Sequence, residues 1–190
     1  MDRLHTLDYG LSELRHVVAT LDDSVMDGPT NCEPWSVRRL ASHALNNQLV
    51  WAGLVTGQQL VAVEDALGAV AINGDLSPVA VDVTTRAIAL WRTDGILDAV
   101  HQTPFGELPG SAVIDFAIID AAAHAWDLST SVGRPLEFDP AQIPVLTDVV
   151  AATCTDAARE HGLIMPPTEV PADATDTERL MSAAGRAIRR

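Results

Sequence analysis

Apolar residues recur every three or four positions along most of the chain, and few segments alternate with period two. That period is the mark of helices with one buried face. Leu7, Leu11, Leu14, Val18 and Leu21 form the first stripe and predict a helix over residues 7–21, with Thr6 as its N-cap. Asp27-Gly28-Pro29-Thr30 then breaks the chain. A second helix is expected from near Ser36 to residue 56, ending before Gly57, with Leu40, Ala44, Leu45, Trp51 and Leu54 among its apolar and small positions. Residues 57–77 carry Gly68 and the turn signal Asn73-Gly74-Asp75, and read as loop with one short helix. Ser77-Pro78 is a capping hydroxyl followed by a first-turn proline, and starts a third helix that runs to residue 93. Two prolines and two glycines within residues 101–110 predict a loop with extended pieces. A fourth helix covers 111–132 and stops at Gly133, a fifth covers 140–161, and a short last one covers 175–187. Pro166-Pro167 and Pro171 hold the stretch before it extended. Long helices joined by loops of unequal length predict an all-α bundle with accessory elements.

Composition narrows the picture. A chain of 190 residues with 47% hydrophobic and 20% charged residues is globular and long enough for one domain with its own core. Twelve basic residues, all arginine, face 26 acidic ones for a net charge of −14. That balance argues against nucleic acid and anionic membranes, which need a basic face. The lack of lysine excludes Schiff-base chemistry and a Walker-type phosphate lysine, and hints at a GC-rich source. Cys32 and Cys154 make no disulfide framework, the first residues lack a signal-peptide pattern, and no apolar run reaches spanning length. The expected setting is a reducing cytoplasm, the expected partner a small molecule, and the expected state a monomer or homodimer.

Asp120-Ala-Ala-Ala-His124 is the sharpest local signal. Residues i and i+4 share a helix face, and this face also carries Val113, Ala117, Ala121 and Leu128, so carboxylate and imidazole should point inward together. A metal ion would compensate their burial. A hydrogen-bonded Asp–His pair or a surface ion pair fits the same spacing. His43, on the second helix with Leu40, Asn47, Val50 and Leu54 near its own face, completes a two-histidine, one-carboxylate set, although a lone histidine there also reads as a satisfied core residue. Asp127, one turn after His124, either orients that imidazole or sits on the surface. Glu107, on the stiff loop before the fourth helix, is either an acid/base at a site mouth or a solvated loop residue. Cys32 is either packed or activated by the helix start that follows it. His5 lies near the terminus, His16 lacks a partner at ligand spacing, and His161 precedes Gly162 at a helix end, where a cation complements the dipole.

These segments, taken in order, resemble a known family. Residues 29–43, from Pro29-Thr30-Asn31-Cys32-Glu33-Pro34-Trp35-Ser36 to His43, resemble the PTPCxGWxVRDLLAH signature of the DinB/YfiT-like superfamily, in its branch similar to the metal-binding N-terminal domain of mycothiol-dependent maleylpyruvate isomerase. Pro104-Phe105-Gly106-Glu107-Leu108-Pro109-Gly110 is similar to its PFGxxPG loop, Asp120 to Leu128 to its [DE]xxxHxWDL helix, and Val170-Pro171-Ala172-Asp173-Ala174 with Arg179-Leu180-Met181 to its VPADAxxxxRLL tail. The resemblance implies a DinB-like four-helix bundle with short accessory helices, read as a single domain over residues 1–190. Its core would lie at about 5–162 and a C-terminal extension at about 163–190. It implies one divalent metal on His43, Asp120 and His124, usually zinc, with nickel or iron in some members. It further implies a transferase or isomerase-like enzyme, actinobacterial in source, with mycothiol as cosubstrate on a small electrophile. Glu107 and Asp127 are the expected acid/base and orienting groups. Departures are Asp120 for the isomerase's Glu, Asn31 for Pro and Pro34 for Gly. The chain is also expected to be too short for the isomerase's separate C-terminal domain, so maleylpyruvate isomerisation itself is not the expected activity. Two alternatives remain open: a hydrolase using metal-bound hydroxide, and a binding or stress-resistance module without turnover.

Overall fold

The computed structural model describes residues 2–68, 70–103, 106–160 and 164–188. Helix α1 spans Arg3–Ala19. It starts one turn before the expected position because Asp2, not Thr6, caps it, accepting the Leu4 N–H at 3.0 Å. Thr6 instead lies buried inside the helix. Helix α2, Val37–Thr56, has the expected limits: the Ser36 side chain accepts the Arg39 N–H, and Gly57 closes the helix at φ +67°, a left-handed conformation that suits glycine. A five-residue helix α3, Val63–Leu67, interrupts the following loop. Helix α4, Leu76–Trp91, is capped by Asp75 rather than Ser77, whose N–H the Asp75 carboxylate accepts at 2.9 Å.

The proline- and glycine-rich stretch forms a hairpin, β1 (Val100–Thr103) antiparallel to β2 (Gly106–Pro109), with Val100 opposite Pro109. Pro104 and Phe105, between the two strands in sequence, lie outside the described residues. Helix α5, Gly110–Ser131, is the longest. The expected fifth helix is divided into α6 (Ile143–Thr153) and α7 (Asp156–Glu160). The physical reason is a new start signal: the Thr155 hydroxyl accepts the Ala158 N–H at 3.3 Å and caps a second helix. The expected end at His161 lies outside the described residues. Helix α8, Asp176–Ala183, opens with a capping box between Thr175 and Glu178, and Gly185 turns the chain at φ +84° soon after it.

Helices α1, α2, α4 and α5 make the bundle. The main packings run α1–α5, α5–α2, α2–α4 and α4–α1, so the consecutive helices α1 and α2 stand at opposite corners. The all-α bundle expected from the periodicity is therefore the fold. Leu7, Leu11, Leu14, Leu40, Leu45, Ile114, Ile118 and Leu128 are fully buried in it. Each such side chain contributes about 1.5–3 kcal/mol through burial. α1 and α5 approach closely at Gly10, where an added Cβ would sit 3.4 Å from that of Ala121. α6 covers α5, and α8 packs on α6. The chain after α8 thereby returns towards the α2–α5 face, where the polar side chains collect.

Candidate metal centre

α2 and α5 lie side by side and project their polar residues towards one another. His43 comes from α2, and Asp120 and His124 from successive turns of α5. The imidazoles are 7% and 8% exposed, and Asp120 is half-buried. Their ring centroids are 4.9 Å apart at 82°. His124 Nε2 lies 3.6 Å from Asp120 Oδ1. The ligand-type atoms of all three residues fall within 4.8 Å of one another.

Hydrogen bonds fix which atom each ring presents. His43 Nδ1 lies 2.7 Å from the Ala66 carbonyl oxygen, which can only accept. Nδ1 therefore carries the proton and Nε2 the lone pair. His124 Nδ1 is likewise 3.1 Å from Asp127 Oδ2, leaving Nε2 free to face Asp120. Asp120 accepts Asn47 Nδ2 on one oxygen and Gln48 Nε2 on the other, both at 2.7 Å. Two imidazole lone pairs and a carboxylate thus converge with their outer sides held by the protein. This arrangement fits a divalent metal ion, which shares such lone pairs and is commonly oriented by bonds of this kind.

Asp127 is completely buried. Burial alone would raise its pKa, but the Arg186 guanidinium and then the His124 N–H outweigh it and hold the carboxyl well below the usual range. Arg186 Nη2 is 3.1 Å and Nε 3.3 Å from Asp127 Oδ2, and Asp127 raises the arginine's pKa against the opposing effect of burial. Asn31 Nδ2 donates to Asp127 Oδ1 at 2.9 Å. Cys32 Sγ lies 3.4 Å from Oδ2, and burial followed by that carboxylate pushes the thiol up to about 12. The activated Cys32 reading therefore gives way to a packed, protonated thiol. Cys32, His124 and Asp127 also bring ligand-type atoms together. Arg186 and Asn31 already occupy that carboxylate, so this group supports His124 instead of rivalling the triad. At His43, burial and then the neighbouring imidazole of His124 lower the pKa, which favours the neutral, lone-pair-bearing ring.

The triad sits in the wall of a cavity of about 800 Å³, lined mainly by apolar side chains. Trp35 tilts over His43, with centroids 4.6 Å apart, and Trp51 stacks on Phe116 at 5.6 Å and 18°. Glu107 is not brought here: it is exposed on β2, bonded to Gln102, and absent from the cavity lining. Glu33, His5 and His16 are exposed as well. The sequence reading overlooked Arg186, which lies in an arginine-rich stretch with no local motif, and Gln48. Asn47, one turn after His43, was visible only as a residue on the same face. No helix among the described residues is long and apolar enough to cross a membrane.

Comparisons with known proteins follow this geometry. Residues 7–129 match the family described as the mycothiol maleylpyruvate isomerase N-terminal domain, a span that holds all three triad residues. The chain is 27% identical over 127 residues to two Mycobacterium tuberculosis proteins, Uncharacterized protein MT0763 of strain CDC 1551 and Uncharacterized protein Rv0738 of strain H37Rv. Each match covers 65% of this chain and 64% of the relative. Among solved structures, the mycothiol-dependent maleylpyruvate isomerase superposes with a TM-score of 0.62 at 18% identity, covering 78% of this chain and 68% of that one. At that identity the match speaks to the fold.

Proposed function

We propose, from the premise that this chain belongs to the mycothiol maleylpyruvate isomerase N-terminal domain family, that it is a metal-dependent enzyme joining a low-molecular-weight thiol to a small electrophile. Mycothiol is the thiol the family points to, and zinc is the proposed metal, although a two-histidine, one-carboxylate set also suits iron and nickel. The observation that carries the reading is the convergence of His43 Nε2, His124 Nε2 and the Asp120 carboxylate on one wall of a large apolar cavity. A divalent ion held there supplies a positive centre that lowers the pKa of a thiol bound to it.

The chain's own residues do the rest. Ala66 and Asp127 fix the tautomers of the two imidazoles. Asn47 and Gln48 hold both oxygens of Asp120. Asp127 acts through His124 as a positioning group, with Arg186 matching its charge. Trp35, Trp51 and Phe116 line the space beside the triad with apolar surface. The setting is a reducing cytoplasm, where a thiol cosubstrate and the free Cys32 and Cys154 stay reduced.

The test is elemental analysis and equilibrium dialysis of the purified protein beside His43→Ala and His124→Ala, with adduct formation between mycothiol and a generic electrophile followed in parallel. Expected are about one zinc-class ion per wild-type chain, loss of it in both variants, and loss of adduct formation with it. Full metal occupancy in either variant overturns the triad. Hydrolysis of the electrophile without a thiol adduct would move the reading to a hydrolase.

A further inference from the structure

We infer that the electrophile is a neutral, largely apolar, ring-sized molecule, and not a carboxylate, an inference that rests on the cavity being the substrate site. Charge is the first argument. Among the described residues the lining holds one carboxylate, Asp120, and one cation besides the imidazoles, Arg186. Arg186 is matched by the buried Asp127 at 3.1 Å and also donates to the Ala184 carbonyl at 3.1 Å. With a divalent ion on the triad, Asp120 and a thiolate would together cancel its two positive charges. No net positive charge is then left for an anionic substrate, and an unpaired carboxylate in an apolar pocket costs several kcal/mol on the order of other uncompensated buried ions.

The wall points the same way: Val50, Leu54, Leu60, Ile119 and Ile164 line the cavity together with the Trp51–Phe116 stack, which suits a flat apolar body.

Two probes of nearly equal shape separate charge from fit: neutral 2-acetylnaphthalene and anionic 2-naphthoate. Binding is measured by calorimetry on full-length protein freed of metal with a chelator, where Asp120 is the uncompensated charge of the described lining. The ketone is expected to bind at least tenfold tighter than the carboxylate. Equal or tighter binding of 2-naphthoate overturns the inference. Trp51→Ala removes one member of the Trp51–Phe116 stack and is expected to weaken the ketone at least threefold with an unchanged circular dichroism spectrum; unchanged binding overturns the seating of the ring there. Because the ketone-to-carboxylate ratio is read without thiol and also without added metal, it stands or falls separately from metal content and adduct formation.

Discussion

The two histidines of the centre reach the same end by unlike means. His124 is held from behind by Asp127, a fully buried carboxylate whose charge Arg186 matches. His43 is held by a neutral peptide carbonyl, that of Ala66. The first support is an ion pair drawn from α5 and from the chain after α8. It is costly to bury and costly to break. The second depends on a five-residue helix, which gains little from its own hydrogen bonds and must be kept in place by contacts around it. Val63 and Leu67 of that helix also line the cavity. One half of the centre is thus anchored in the bundle, and the other half is tied to the wall that meets the ligand.

Breaking the anchored half should produce the largest effect. Asp127→Ala leaves Arg186 without its partner and His124 without its acceptor, and should destabilise the protein by about 3–5 kcal/mol. Urea denaturation measures it. The folded carboxyl lies below its unfolded value, so the pair's contribution is full at neutral pH. It declines as the pH falls through and below about 4, where the unfolded carboxyl protonates first. The wild type should lose this margin between pH 7 and 3, while Asp127→Asn, with no charge to lose, should show a flatter profile.

Arg186→Met tests the same anchor from its other end and should cost about 2–4 kcal/mol by stranding Asp127. In a double-mutant cycle, Asp127→Asn with Arg186→Met should cost less than the sum of the two single changes, a difference of about 1–3 kcal/mol. Additive costs would show that the two groups do not act as a pair.

Cys32 gives a milder probe. With its thiol held up to about 12, alkylation at pH 8 should be at least tenfold slower than for a model thiol, because the thiolate is the nucleophile. Asp127→Asn removes the neighbouring negative charge and should speed it, as mass spectrometry of labelled protein would show.

The tied half should yield the smallest change in stability. Arg39 Nη2 donates to the Gly68 carbonyl at 2.9 Å, just past the end of α3. Arg39→Ala should cost under about 1 kcal/mol, as surface changes do, yet lower metal affinity several-fold by loosening the support of His43. A fall in metal affinity as large as that of Asp127→Ala would erase the contrast between the two halves.

Much of this layout was legible in the sequence where a local signal carried it. The four-residue spacing of Asp120 and His124 placed both on one face of α5, and Ser36 and Gly57 marked the two ends of α2. Asp127 followed from one further turn. The rest depended on chain segments that meet only after folding. Arg186 is 59 residues from Asp127, and no periodicity connects them. The Ala66 carbonyl is main chain, so no residue type signals it. Glu107 was chosen for its place beside the ligand helix, but the hairpin turns its carboxylate to solvent and to Gln102. The division between α6 and α7 was missed because Thr155 acts as a cap without a proline or glycine to mark it.

The distance in sequence between Asp127 and its cation also sets an order of events during synthesis. At roughly 5–20 residues per second, the 59 residues separating Asp127 from Arg186 take about 3–12 s to emerge. Throughout that interval α1 to α5 are already made, and the nascent chain has both imidazoles and Asp120 available while the countercharge behind His124 is still missing. The proposed ligands are therefore translated first and the clamp behind His124 last, so an ion captured early would meet a site whose α5 half has not yet been locked.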